Sequence, residues 1–160
     1  MPLRPAARRG FSLIELLIVI AILSIVYYRV APMISEIKAR SALRASRQEL
    51  TAVFGAARAA AMQKGRAATL TLTGSTAKVT VASSVDGSTV TLLGPIKFTS
   101  LYGTVLSSLN SAPTTVTFDG RGLVTPAVTT ISKYRLVTSK WADTVCISGS
   151  GIVLMRGCQL

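Results

Sequence analysis

Residues 11–28 form an apolar run eighteen residues long that holds one charged side chain, Glu15. As a helix rising about 1.5 Å per residue the run would reach roughly 27 Å, enough to cross the hydrocarbon core of a bilayer. A carboxylate at that depth costs about 2.5–3.5 kcal/mol on insertion scales, so it marks a function, with a cationic partner to be found. Arg4, Arg8 and Arg9 precede the run. Basic flanks stay on the cytoplasmic side, which sends the rest of the chain outside. A secretory signal would end in a small-residue cleavage site after the apolar region. Ala31-Pro32 is a poor substitute, because the helical pattern runs on beyond it, and the small residue Gly10 lies before the run. The competing reading is a plain signal anchor in which Glu15 is a tolerated polar residue.

Composition removes most catalytic chemistry. The 160 residues carry a net charge of +12, no histidine and six acids. Without the three leader arginines the charge is +9. Glu15, Glu36, Glu49, Asp86, Asp119 and Asp143 show no spacing that suggests shared acid–base work. Lack of histidine excludes Ser/His and Cys/His nucleophile pairs, and two cysteines alone do not make a zinc site. No glycine-rich piece is followed by the Lys-Ser/Thr of a phosphate loop. The chain reads as a non-enzyme that needs no cofactor and no metal. Its length suits one domain plus an anchor. An even cysteine count outside the cytoplasm suggests a single Cys146–Cys158 bridge that ties down the C-terminal end. Two free buried thiols are the alternative.

Beyond the apolar run the helical period continues to about residue 64. Leu43, Leu50, Val53, Phe54, Ala57 and Ala61 make one stripe. Gly65 is placed to end the helix after Lys64. Pro32 removes one intrahelical bond and predicts a bend there. Arg40, Arg44 and Arg47 line one flank, with Glu36 four residues before Arg40 in the favourable order. Such a row is a solvated face or, in an assembly, a contact with neighbours.

From Ala67 the period changes to two. A Gly74-Ser75 turn would set Leu72 opposite Ala77, Leu70 opposite Val79 and Ala68 opposite Val81, with every apolar side chain on one face. Further strands are expected around Val90, Leu92 and Leu93 after an Asp86-Gly87 turn. Others are expected at Val116-Thr117-Phe118 before the turn Asp119-Gly120-Arg121-Gly122, and at Tyr134-Arg135-Leu136-Val137. A last hairpin turns at Gly149-Ser150, with Ile147 facing Ile152, Val145 facing Leu154 and Cys146 facing Val153. In that register a Cys146–Cys158 bridge needs the tail after Met155 to curl back. Residues 82–89, 99–115 and 125–132 read as polar surface loops.

The start of the chain resembles the class III (type IV) prepilin signal over Gly10-Phe11-Ser12-Leu13-Ile14-Glu15-Leu16-Leu17-Ile18-Val19-Ile20-Ala21-Ile22-Leu23. The resemblance implies cleavage between Gly10 and Phe11 by prepilin peptidase, then methylation of the Phe11 amine. It also implies pairing of Glu15 with the free N-terminus of a neighbouring subunit during assembly. Pro32 falls where many members of the type IV pilin and pseudopilin family carry a proline. The head resembles H-type pseudopilins and FimT/FimU-like minor pilins at three places. These are Arg58-Ala59-Ala60-Ala61-Met62-Gln63-Lys64-Gly65-Arg66-Ala67-Ala68-Thr69-Leu70, Thr117-Phe118-Asp119-Gly120-Arg121-Gly122, and Val145-Cys146-Ile147-Ser148 with Gly151 and Cys158. The fold implied is α+β and pilin-like, a long N-terminal helix packed on antiparallel sheet. The parts implied are a leader at 1–10, a transmembrane and assembly helix at 11–30, its amphipathic continuation at 31–64 and a β-rich extracytoplasmic head at 65–160.

Three functions follow from the resemblance. The first is a minor subunit of a type IV pilus, acting in priming or at the tip and serving adhesion, motility or DNA uptake. The second is an H-type minor pseudopilin of a type II secretion system, and the third a major pilin. The partners implied are other pilin or pseudopilin subunits, prepilin peptidase, the inner-membrane assembly platform and, for secretion, the outer-membrane secretin. The subunit would cross the inner membrane once, N-terminus cytoplasmic and head periplasmic, before joining the filament. DNA is a further candidate partner. The chain from Arg66 onward holds eight basic residues and three acids. Lys133, Tyr134, Arg135, Lys140 and Trp141 form a basic strip with interleaved aromatics, a pattern that holds nucleic acid. Some FimT-like DNA receptors carry arginines in the final loop, however. Here that loop is Ser148-Gly149-Ser150-Gly151, and only Arg156 follows.

Overall fold

A computed structural model describes residues 11–83, 87–126, 131–154 and 158. The chain forms two units, residues 1–37 and 38–160. One helix, α1 (Leu13–Lys64), is 52 residues long and continuous through Pro32. Its start is capped by Ser12, whose Oγ accepts from the Ile14 amide at 3.2 Å. Its end is a Schellman turn. Gly65, at φ +60°, donates to Met62 O, and Arg66 donates back to Ala61 O. The leader, including Gly10, lies outside the described residues.

The second unit holds nine strands and a short helix among the described residues: β1 (Ala68–Thr73), β2 (Thr76–Ala82), β3 (Thr89–Lys97), α2 (Phe98–Tyr102), β4 (Val105–Leu109), β5 (Thr115–Phe118), β6 (Val124–Thr125), β7 (Ser132–Val137), β8 (Ala142–Ile147) and β9 (Val153–Leu154). They make two antiparallel sheets, one in the order β3-β2-β1-β5-β6 and one in the order β4-β7-β8-β9. The α+β expectation, long helix on antiparallel sheet, describes this architecture. The helical stripe Leu43, Leu50, Val53, Phe54, Ala57 and Ala61 is buried throughout. It shares one core with Leu70, Val79, Val116 and Phe118 of the first sheet and Tyr134, Leu136 and Val145 of the second.

The β1–β2 register is the expected one, Ala68 with Val81, Leu70 with Val79 and Leu72 with Ala77. Gly74 and Ser75 both take positive φ, at 55° and 62°, as a two-residue turn of the primed kind requires. Ser75 also joins the sheets. Its hydroxyl accepts from the Leu106 amide of the edge strand β4 at 2.9 Å, and its carbonyl accepts from Phe98 N.

Two expectations change, and the strand expected around Val90, Leu92 and Leu93 forms with a slip in register. Residues 99–115 are not one loop, because α2 and β4 run through them. β4 is an edge strand whose Val-Leu-Ser-Ser-Leu sequence buries neither face fully, so it carries no period-two signal. The adjacent Leu92 and Leu93 fit one strand because β3 slips register against β2 between Val79 and Thr80. The last hairpin is one residue out: Ile147 pairs with Val153 and Cys146 with Leu154. Gly151, at φ +78°, is a third turn residue, and its amide closes the turn on Ser148 O at 2.8 Å. Residue 86 of the Asp86-Gly87 turn, residues 127–130 of the 125–132 loop, and Met155 and Arg156 lie outside the described residues.

Candidate functional site

In the first unit every described side chain from Phe11 to Val30 is exposed. Phe11 stands 81% exposed immediately before the Ser12 cap. α1 is the one helix among the described residues that is long and apolar enough to cross a membrane. Ser24 turns its hydroxyl back onto Ile20 O, so this polar group is satisfied inside the helix. Tyr27 and Tyr28 are followed by Arg29 at the end of the run, the residue types that sit at a membrane–water boundary.

Glu15 occupies the first turn of α1. Ser12-Leu13-Ile14-Glu15 has the spacing of a capping box, with the acid at the third helical position. The unpaired amides and the helix dipole favour negative charge there. The reading of Glu15 as an acid that needs a cation missed this. The Ser-x-x-Glu pattern was the signal for it.

In the second unit the strip at 133–141 does not make one surface. Tyr134 is 1% exposed. Its ring packs on Phe54 with centroids 5.5 Å apart, and its hydroxyl donates to Pro113 O at 2.7 Å. Burial pushes its pKa up to about 12. The expectation of Tyr134 as a nucleic-acid contact is therefore corrected: it is a core residue. Strand alternation puts Lys133 and Arg135 on the face opposite Tyr134 and Leu136. Trp141 instead meets α1, with the Arg40 guanidinium 4.3 Å from its ring centroid.

The arginine row on the helix finds the start of β8. Arg47 Nη1 lies 2.9 Å from Asp143 Oδ2, and Arg40 lies on Trp141. Between them Arg40, Leu43, Arg44, Trp141, Ala142 and Asp143 line an open groove of about 310 Å³. Two features read separately from the sequence, the arginine flank and the aromatic end of the strip, thus build one place.

The quoted junction after α1 and the Phe118–Gly122 segment also meet. Asp119 Oδ1 accepts from the Leu123 amide at 2.8 Å and the Arg121 amide at 3.0 Å. The Leu123 bond foremost holds the carboxyl below the usual range. The loop this braces lies on the helix end. A Cβ at Gly120 would lie 2.8 Å from the Gly65 carbonyl carbon, and one at Gly122 2.9 Å from Met62 Sδ. Cys146 is bridged to Cys158, with Cα atoms 5.5 Å apart. Cys146 stands opposite Leu154, so the partner cysteine comes from beyond the paired strand. No group of three or more His, Cys, Asp or Glu able to hold a metal ion occurs among the described residues.

Two family models match the chain. One, described as the prokaryotic N-terminal methylation motif, covers residues 5–26. The other, described as type II transport protein GspH, covers residues 46–151. Structures of the type IV minor pilin FimU of Pseudomonas aeruginosa (strain PAO1), in two crystal forms, are similar. One has a TM-score of 0.59 at 18% identity over 74% of this chain and 91% of that one. The other has 0.56 at 19% identity, over 72% and 94%. At such identity they speak for the fold. Among curated proteins none matches.

Proposed function

We infer, for a chain that belongs to the type II transport protein GspH family, that it is a minor subunit of a type IV pilus, made as a prepilin. The family is one of structural subunits, and the chain is not an enzyme. The reading rests on one observation: a methylation motif lies at the head of an exposed apolar helix whose second half is the core helix of a pilin-like head. Prepilin peptidase cuts between Gly10 and Phe11, removing the leader at 1–10 and its three arginines. The methylated Phe11 amine stays cationic and answers the Glu15 carboxylate of a neighbour, which removes the expense of an unpaired acid in lipid. Residues 11–30 hold the subunit in the inner membrane, N-terminus cytoplasmic, with the head in the periplasm until the assembly platform takes it up. Pro32 is the point at which α1 yields during that transfer.

A second reading has its own support. The family's description names type II transport, which fits an H-type minor pseudopilin meeting an outer-membrane secretin. Deletion of the gene, scored together for fibres, transformation and exoprotein release, separates the two. Mass spectrometry of the purified mature protein tests the processing: an N-terminus at methylated Phe11 is expected, and any other start overturns it. Glu15→Ala is expected to be cleaved normally and to be missing from sheared filaments.

A further inference from the structure

We propose that the groove between α1 and the start of β8 is a docking site for an acidic, partly apolar protein segment of another subunit, with Arg44 as its charged anchor. The groove has three parts. Leu43 and Ala142 give it an apolar lining. Trp141, 39% exposed, forms one wall and carries Arg40 on its ring. Arg44 stands exposed between two engaged neighbours. Arg47 is neutralised by Asp143 and Arg40 is held on Trp141, whereas Arg44 has no ion-pair partner among the described residues. A solvated arginine flank needs neither a tryptophan nor a concavity; a site for a carboxylate beside an apolar side chain uses both.

Charge selects the occupant. Residues 38–160 hold fourteen basic residues and four acids. Two copies of this chain would meet with like charge, which costs affinity, so the partner is an acidic chain of another kind. Asp143 on the rim is an anion, and Lys133 and Arg135 lie on the other face of the second sheet. Lys133 and Arg135 therefore do not extend the groove's arginines across the second sheet, and the Asp143 carboxylate repels a polyphosphate backbone at the rim. Its volume, about 310 Å³, takes a few side chains, as a protein segment would supply.

Trp141 is the chain's single tryptophan, so its emission reports this groove alone. The full chain in neutral-detergent micelles is titrated with a short peptide alternating Glu and Leu. Parallel titrations use the same peptide with Gln for Glu, micelles doped with phosphatidylglycerol, and a short DNA duplex. The expected result is a shift of Trp141 emission with the acidic peptide, weakened by salt and absent with the Gln peptide. Arg44→Gln is expected to bind at least about fivefold more weakly, since a charge-assisted contact is lost. Arg44→Lys should keep most of the binding, and Arg135→Gln on the far face should match the parent. Far-UV circular dichroism confirms that each variant is folded. No shift, an equal response to the Gln peptide, a response to lipid or DNA alone, or full binding by Arg44→Gln overturns the proposal. The inference rests on the filament reading only for the existence of a neighbour, and processing at Phe11 is measured separately, so either can fail without the other.

Discussion

Gly151 in the β8–β9 turn lies so close to Phe118 of β5 that a Cβ built on it would stand 2.5 Å from Phe118 Cε1 and 3.0 Å from Val124 Cγ2. The turn of the second sheet is thereby seated on the core of the first, since Phe118 is fully buried. The same glycine has φ +78° and sets the register of the last hairpin. Gly151→Ala meets a backbone and a packing obstacle together. We expect it to cost about 2–4 kcal/mol, the sum of positive-φ strain and overpacking. Alanine at Gly55, where a Cβ meets nothing within 4 Å, is expected to be neutral or stabilising, since it raises helix propensity. Denaturant titration of the two variants side by side measures the contrast.

The Cys146–Cys158 bridge closes a short loop of sequence separation 12. Cys146 is itself core, 1% exposed. For a loop of that size the chain-entropy model gives about 3 kcal/mol. Cys158→Ser should lower the melting temperature by an amount that reductant then no longer changes, whereas the parent melts lower in reductant. A parent that melts alike with and without reductant would contradict the estimate.

Arg47 and Asp143, 96 residues apart in sequence, meet at 2.9 Å with about a third of each side chain exposed. Partial exposure limits what the pair contributes. A double-mutant cycle with Arg47→Gln and Asp143→Asn should give a coupling of about 0.5–1 kcal/mol that shrinks as salt rises. Its larger consequence is positional, because the pair fixes the edge of the groove in which Arg44 stands.

How legible this was in the sequence depended on the kind of signal each segment carried. The helical stripe from Leu43 to Ala61 and the alternation around Gly74-Ser75 each bury one whole face, so period alone located them, including the register. β4 escaped because an edge strand with serines at Ser107 and Ser108 obeys no burial period. The last hairpin slipped because a two-residue Gly149-Ser150 turn and a three-residue turn ending at Gly151 fit the same apolar residues. The register of β9 and the Gly151 amide on Ser148 O distinguish them. The basic strip misled for the opposite reason. Lys133, Tyr134 and Arg135 are neighbours in sequence, but strand alternation sends Tyr134 inward and the two cations outward. The groove was invisible until folding brought Arg40 and Trp141 together from opposite ends of the second unit's sequence.

Tyr134 offers a test of the core by pH. Its hydroxyl donates a hydrogen bond to Pro113 O at 2.7 Å, and burial raises its pKa from 10.0 to about 12. Below pH 10 the phenol is protonated folded or unfolded, and its contribution to stability is fully present. Above pH 10 the unfolded chain loses the proton while the folded chain keeps it, so stability falls as pH rises from 10 to about 12. The steepest loss from this one group is about 1.4 kcal/mol per pH unit. Tyr134→Phe has no proton to lose. It should begin about 1–2 kcal/mol less stable at neutral pH, because the Pro113 carbonyl loses its donor. From pH 10 upward its unfolding curve should fall less steeply than the parent's. Urea titrations of both proteins at pH 8, 10 and 11 measure the two slopes. Parallel slopes would mean that Tyr134 ionises as readily in the folded chain as in the unfolded one, and that the Phe54 contact does not seal the ring from water.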